Sequence, residues 1–291
     1  MSDTLTPDAR RSGTFALGED LPVYRMGYGA MRITGNGIWG EPSDTTEARR
    51  LLQRVVELGI TFIDTADSYG PEVSEQLIAD ALYPYPKELV IATKGGLTRQ
   101  GPNQWAPVGR PEYLRQCVEM SLRRLKLDRI DLYQLHRFDD KVPAEETLGV
   151  LKELQHAGKI RHFGLSEVSV EQIKMTQAIL PVVSVQNLYN VAARQSEGVL
   201  NYCEQHGIAF IPWFPVAAGD LARPGGPLDT AAKRHGASVA QLALAWLLHR
   251  SAVMLPIPGT SSIRHLEENT AAASLKLTGE EWKVLEQEIA G

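Results

Sequence analysis

Short apolar runs alternate with amphipathic stretches from about residue 23 onward, and no other feature narrows the possible folds so far. Ala48, Leu51, Leu52, Val55 and Val56 recur at helical spacing and place one apolar stripe on a helix that begins after Ser43-Asp44. Asp44 and Glu47 have the separation of a capping-box-like start, and Gly59 supplies a stop. Thr61-Phe62-Ile63 is a short apolar run ending at Asp64. The unit then repeats. Helix 73–82 leads to strand 89–93, helix 110–126 to strand 130–135, and helix 143–156 to strand 160–165. Ser169 and Gln172 open a helix with a capping box, and strand 182–185 follows. Helix 196–206 leads to strand 208–213, and a very apolar helix capped by Ser238 and Gln241 leads to strand 253–257. With 24–26 as the first strand, eight strands are expected, seven of them preceded by helices. Such alternation predicts α/β architecture with a parallel sheet. Eight units predict closure into a (β/α)8 TIM barrel.

Ahead of the barrel, Phe15-Ala16-Leu17 and Leu21-Pro22-Val23 flank Gly18-Glu19-Asp20 and read as a hairpin placed to cover the barrel bottom. Residues 1–12 are polar, are expected to be a flexible terminus, and contain no apolar signal region. The Gly/Pro-rich stretches 34–42, 95–109 and 219–227 each follow a strand and read as long loops on the catalytic face, so one barrel domain over 1–291 is expected. A net charge of −5 without a dense basic patch argues against nucleic acid as a partner. Cys117 and Cys203 lie far apart in helix-like segments, lack metal-ligand spacing and read as packing residues; no metal is expected. With no run near the ~20 apolar residues of a membrane span, the expectation is a cytoplasmic monomer without a membrane partner.

Polar residues gather where the strands end. Asp64 ends the second strand, with Tyr69 in the loop beyond it; Lys94 ends the third and His136 the fourth. Ser166-Glu167 end the fifth and Gln186-Asn187 the sixth. Barrel chemistry sits at this rim. Taken singly, Asp64 reads equally as a turn cap, Tyr69 as a loop aromatic and His136 as a satisfied core histidine. Lys94 resists so bland a reading, because a lysine continuing a buried strand is costly to bury. Together the four suit carbonyl reduction. An alkoxide formed by hydride transfer needs a proton, and tyrosine at its usual pKa of about 10 is a poor acid at pH 7. Lys94 can lower that pKa, Asp64 can anchor Lys94, and His136 can orient the carbonyl and stabilise developing charge.

The segments Asp64-Thr65-Ala66-Asp67-Ser68-Tyr69-Gly70, Ala92-Thr93-Lys94 and Leu135-His136 closely resemble the signature segments of the aldo-keto reductase superfamily, and the likeness runs in order through essentially the whole chain. The resemblance implies a catalytic tetrad of Asp64, Tyr69, Lys94 and His136, with Tyr69 as general acid, and NADPH/NADP+ as cofactor. The residues agree that any nicotinamide cofactor binds outside a Rossmann scheme, since Gly27-Tyr28-Gly29 is followed by Ala30-Met31-Arg32 and the third glycine is missing. Pro258-Gly259-Thr260-Ser261-Ser262 runs straight into a helix whose first turn holds Arg264 and His265, which reads as an anion site or as a plain capped surface helix. By resemblance this loop takes the adenosine 2′-phosphate, with Glu268 and Asn269 at the adenine, Gly29 and Asp64 among the cofactor contacts, and Ser166, Glu167 and Gln186 at the carboxamide. Two departures stand out: Glu167 replaces the common asparagine, and Gly259 the common lysine. Trp213-Phe214-Pro215 stands where relatives often carry Tyr-Ser-Pro; Trp213 reads as a nicotinamide-stacking ring or as a core tryptophan.

Trp39, Trp105 and Phe138 lie in the loops after strands one, three and four. Either they pack the loops together, or they line a pocket for an apolar or aromatic small-molecule carbonyl. Gly37-Ile38-Trp39-Gly40 resembles a bacterial subgroup that includes pyridoxal reductase-like enzymes, which points to a planar aromatic aldehyde. Two other functions fit the same residues: a Schiff-base aldolase using Lys94, and a non-catalytic cofactor-binding sensor or channel-associated subunit.

Overall fold

The computed structural model describes residues 6–216 and 223–290, the side chains of 289 and 290 excepted. Seven parallel strands run in the order β3 (Tyr28–Gly29), β4 (Phe62–Asp64), β5 (Val90–Gly95), β8 (Ile130–Leu135), β9 (Ile160–Ser166), β10 (Ser184–Gln186) and β11 (Ala209–Phe210). The expected eighth strand is reduced to one parallel bridge between Met254 and Phe210. Its backbone still closes the ring. Leu255 N–H donates to the Phe210 carbonyl at 2.8 Å, and Gly27 N–H donates to the Pro256 carbonyl at 2.9 Å. Both edges of the seven-stranded sheet are thereby joined through residues 254–256, as a barrel requires.

Between the strands lie α1 (Thr45–Glu57), α2 (Val73–Leu82), α3 (Pro111–Leu125), α4 (Ala144–His156), α5 (Val170–Gln177), α6 (Glu197–His206) and α8 (Val239–Arg250). Both predicted capping boxes are present, at Ser169/Gln172 and Ser238/Gln241, and Asp44 Oδ1 caps α1 by accepting from Glu47 N–H. Leu51, Leu52 and Val55 of α1, and most of α8, are buried in the layer between strands and helices. α9 (Ile263–Ala271) follows the last apolar run.

The barrel interior is a separate, smaller core that explains how the site is held. Phe62, Val90, Ala92, Leu132, Ala209, Ile211, Leu255 and Ile257 fill it. Side chains alternate along a strand with period two, so Asp64 stands one layer above Phe62, Lys94 above Ala92, and Gln134 above Leu132. β1 (Thr14–Leu17) and β2 (Leu21–Tyr24) form the expected antiparallel hairpin, and Leu17 and Val23 insert into the same core from below.

Several expectations need correction. The first barrel strand is Tyr28–Gly29, not 24–26: Tyr24 belongs to the hairpin, and its N–H is taken by the Thr61 hydroxyl at 2.9 Å. Residues 9–12 are not a loose terminus. They form a short 3-10 turn in which Ala9 N–H donates to the Leu58 carbonyl and the Ser12 hydroxyl accepts from Met26 N–H. The stretch 95–109 is largely a second hairpin, β6 (Leu97–Gly101) and β7 (Gln104–Pro107), turned by Pro102 and a left-handed Asn103. Of the stretch 219–227, residues 219–222 lie outside the described residues, and Pro227 opens a further helix, α7 (Pro227–Arg234). α10 (Gly279–Ala290) closes the described chain. No described helix is long and apolar enough to cross a membrane.

Candidate active site

β4, β5 and β8 deliver Asp64, Lys94 and Gln134 side by side, because Asp64 pairs with Ala92 and Lys94 with Gln134 across the sheet. Lys94 Nζ donates to Asp64 Oδ2 at 2.6 Å and to the Thr65 carbonyl at 2.8 Å, and lies 3.4 Å from Tyr69 Oη. Gln134 and Gln186 each donate an amide N–H to Asp64 Oδ1, at 3.0 and 2.9 Å. The carboxylate is thus satisfied on both oxygens, which is what a buried charge demands.

Tyr69 reaches this centre because its loop is tied to β5. Asp67 N–H donates to the Lys94 carbonyl at 3.1 Å, and Ser74 N–H at the start of α2 donates to the Tyr69 carbonyl. The Tyr69 and His136 rings meet edge to face, 5.8 Å between centroids. Ser68 Oγ lies 3.2 Å from His136 Nδ1. A hydroxyl donating there fixes the tautomer that carries its proton on Nε2. All four residues are buried.

Protonation follows from this packing. Burial opposes the Lys94 charge, but the Asp64 carboxylate beside it outweighs that and holds the ammonium above the ordinary lysine value. Burial, together with the nearby cations Lys94, Arg137 and Arg99, drives His136 well below the usual histidine range, so the imidazole is neutral. For Tyr69 the neighbouring Lys94 does favour the phenolate as expected, but the net direction is the opposite one. Burial is the larger influence and raises the phenol above its ordinary value, with Lys94 pulling against it.

The expected cofactor residues form a band along the same rim. Gly29 and Gly259 face each other so closely that an added Cβ at 259 would sit 2.8 Å from the Gly29 carbonyl. A lysine at 259 would therefore have to displace β3. Tyr28 Oη donates to the Thr260 carbonyl at 2.7 Å, and Thr260 Oγ1 accepts from Ser262 N–H at 3.1 Å. Ser262 caps α9, and Ser261, Arg264 and His265 are exposed at that helix start. Arg264 Nη2 touches His265 Nε2 at 2.6 Å, Glu268 is half-buried and Asn269 is buried.

Among the residues expected at the carboxamide, Glu167 adopts a left-handed backbone and spends Oε1 on Leu188 N–H (2.7 Å) and Trp213 Nε1 (2.5 Å). Gln186 spends one amide N–H on Asp64, and that bond leaves its second N–H uncommitted. Ser166 Oγ accepts from Arg137 Nη1 at 2.8 Å. Trp213 is half-buried and outside both cores, Phe214 is exposed and Pro215 is buried. Trp105 lies edge-on to both Tyr69 and His136, each at 6.4 Å, and Trp39 joins it through Arg99. Phe138 is not brought to them; it packs against the main core.

Gln134, Ser68, Arg99 and Arg137 are absent from the sequence-based expectations. Gln134 carried a readable signal, a lone polar residue in phase with His136 on an apolar strand. The other three depend on contacts between distant loops.

The chain matches the Aldo/keto reductase family over residues 25–289. It is 56% identical to an uncharacterized oxidoreductase of Schizosaccharomyces pombe, over 97% of this chain and 91% of that one. It is 42% identical to pyridoxine 4-dehydrogenase of Escherichia coli, over 92% and 96% of the two chains. An aldo-keto reductase from Klebsiella pneumoniae, solved in complex with NADPH, superposes with a TM-score of 0.80 at 28% identity and 94% coverage of each chain. A closed β/α ring carrying Asp64, Tyr69, Lys94 and His136 on one rim agrees with these likenesses: the chain belongs to the aldo/keto reductase family of oxidoreductases.

Proposed function

We propose that this protein reduces aldehyde or ketone carbonyls to alcohols with NADPH, Tyr69 being the general acid. The observation that carries the reading is the buried Asp64–Lys94–Tyr69 chain, with neutral His136 edge-on to the phenol. NADPH, when bound, supplies the hydride. The α9 start suits its phosphates, since the first helical N–H groups lack intrahelical partners and Arg264 and His265 are exposed beside them. The neutral His136 donates through Nε2 to the carbonyl oxygen and orients it. Tyr69 Oη passes its proton to that oxygen as charge develops, and Lys94 stabilises the phenolate left behind.

The substrate we propose is a planar aromatic aldehyde. Trp105, edge-on to the reacting groups, and Trp39 supply flat apolar surface, and the Escherichia coli relative acts, by its name, on a pyridine alcohol. The aldolase reading is disfavoured by Lys94 itself. A Schiff-base lysine must be neutral to attack, whereas Asp64 keeps this one charged against the pull of burial.

NADPH oxidation with a panel of 4-nitrobenzaldehyde, pyridoxal and short aliphatic aldehydes tests the proposal. Tyr69→Phe should lose about 100-fold or more in kcat, the range of general acid catalysis, with NADPH affinity nearly unchanged. NADPH binding without turnover of any carbonyl would leave the sensor reading standing instead. Borohydride trapping of a substrate adduct on Lys94 would revive the aldolase.

A further inference from the structure

Arg99 lies on β6, outside the tetrad, and is half-buried. A guanidinium has five N–H groups in a fixed fork, and here five backbone carbonyls receive them. Nε donates to Gln104 at 3.0 Å, Nη1 to Ile38 at 2.6 Å and Ser68 at 2.8 Å, and Nη2 to Gly37 at 2.9 Å and Gly101 at 3.3 Å. These acceptors come from three separate stretches: the loop after β3, the loop that carries Tyr69, and the β6–β7 hairpin. The guanidinium also stacks on Trp105, 3.6 Å from the ring centroid, with the Trp39 ring at 5.6 Å. Ser68, whose carbonyl Arg99 holds, places its hydroxyl on His136.

We propose that Arg99 is a positioning residue that assembles the Trp39–Trp105 wall against the Tyr69 loop and so sets the preference for flat substrates. The proposal rests on the reading of that wall as the substrate surface. It carries a second consequence. With every N–H spent on a carbonyl, Arg99 has no donor left for an anionic substrate group, so it makes no direct hydrogen bond that would select carboxylate- or phosphate-bearing aldehydes. Lysine is no replacement, because a point ammonium with three donors cannot span five carbonyls or lie flat on an indole.

Two measurements on Arg99→Lys and Arg99→Ala test this. In steady-state kinetics, the kcat/KM ratio of 4-nitrobenzaldehyde to propanal should fall by about 10-fold or more, through KM, for the lost cation–π contact and hydrogen bonds. 4-Carboxybenzaldehyde should lose as much as the nitro compound. Selective loss of the carboxylate substrate would make Arg99 an anion ligand and overturn the proposal. Equal loss for aromatic and aliphatic aldehydes would reduce Arg99 to a general stabiliser and overturn it too. The second measurement needs no turnover and separates this proposal from the reductase reading. In protein labelled with 5-fluorotryptophan, the five tryptophans report separately by fluorine NMR. In the Arg99→Lys protein the Trp39 and Trp105 resonances should move while those of Trp246 and Trp282 stay. An unmoved Trp39–Trp105 pair would show that the wall stands without Arg99.

Discussion

Lys94 Nζ sits 2.6 Å from Asp64 Oδ2, and neither group is open to solvent. The pair is worth most when both partners are present, since removing one strands the other in a medium that cannot solvate it. Lys94→Met should therefore do two kinds of damage. Activity at pH 7 should vanish, because the Tyr69 phenolate loses its stabilising charge, and the fold should lose about 3–5 kcal/mol, the cost of breaking a buried pair. Asp64→Asn should cost less activity, because an amide oxygen can still face the ammonium, but it also breaks the charge pair and sets its NH2 against the Gln134 and Gln186 donors. Single-turnover rates and calorimetric melting of both variants check this; wild-type activity in Lys94→Met would remove the tetrad from the mechanism.

Reaction direction should decide the pH profile. Burial, countered in part by Lys94, keeps the Tyr69 phenol above its ordinary value of 10.0, and burial with nearby cations keeps His136 neutral to well below 6.5. In the proposed mechanism reduction uses the protonated phenol and a neutral imidazole. Its kcat/KM should be flat from about pH 6.5 to 10 and fall only above that, as Tyr69 ionises. Alcohol oxidation uses the phenolate and should rise by about tenfold per pH unit through the neutral range. A falling reductive limb near pH 7 that disappears in Tyr69→Phe would contradict the raised phenol.

Asp67 supplies a prediction about stability. It is buried in the loop that carries Tyr69, its Oδ1 has no hydrogen-bond partner among the described residues, and burial followed by the nearby Glu75 raises its pKa to about 7. An unfolded aspartate loses its proton near pH 4, whereas the folded one keeps it until about 7. The stabilisation is thus complete below about pH 4 and is lost as pH rises toward 7. Asp67→Asn, neutral throughout, should melt with the wild type near pH 4 and progressively above it as pH rises to 7, with no further gain beyond. A melting-temperature difference that stays constant over pH 4–8 would refute the raised carboxyl.

What was readable in the chain and what was not divides by the range of the determining contact. Asp64, Lys94 and His136 were legible because each is a polar residue at the end of an apolar run, and strand order alone brings such ends to one rim. Ser238 and Ser169 were legible because a cap acts on its own third neighbour. The first strand was misplaced because Tyr24–Met26 is locally the more apolar segment, while ring closure is decided by the Pro256 carbonyl more than 200 residues away. Arg99 was invisible for a related reason. All its acceptors are backbone carbonyls, which no residue type advertises. The net direction at the Tyr69 phenol is not legible, because a sequence names the neighbouring charge but not the depth of burial that outweighs it.

Arg264 bears on cofactor choice. It is exposed at the start of α9, 2.6 Å from His265 Nε2 and 3.8 Å from Glu268, so its guanidinium is held beside the helix N-terminus without being buried in any pair. The start of a helix already favours an anion, and it does so for either nicotinamide cofactor. Only NADPH carries the 2′-phosphate that an additional cation there can discriminate. A side chain at position 259 would meet the Gly29 carbonyl, so in the proposed binding scheme Arg264 and His265 supply the charge. A charge-assisted hydrogen bond is worth roughly 1.5–3 kcal/mol, or about 10- to 150-fold in affinity. Solvent around Arg264 places the expectation at the lower end. Arg264→Ala should weaken NADPH binding by about 10-fold and leave NADH nearly unchanged, giving a protein with little preference between them. Fluorescence-quenching titrations with both cofactors, before and after substitution, measure this directly. Equal weakening of both would assign Arg264 to loop support alone, and a wild type that binds NADH more tightly than NADPH would overturn the choice of cofactor.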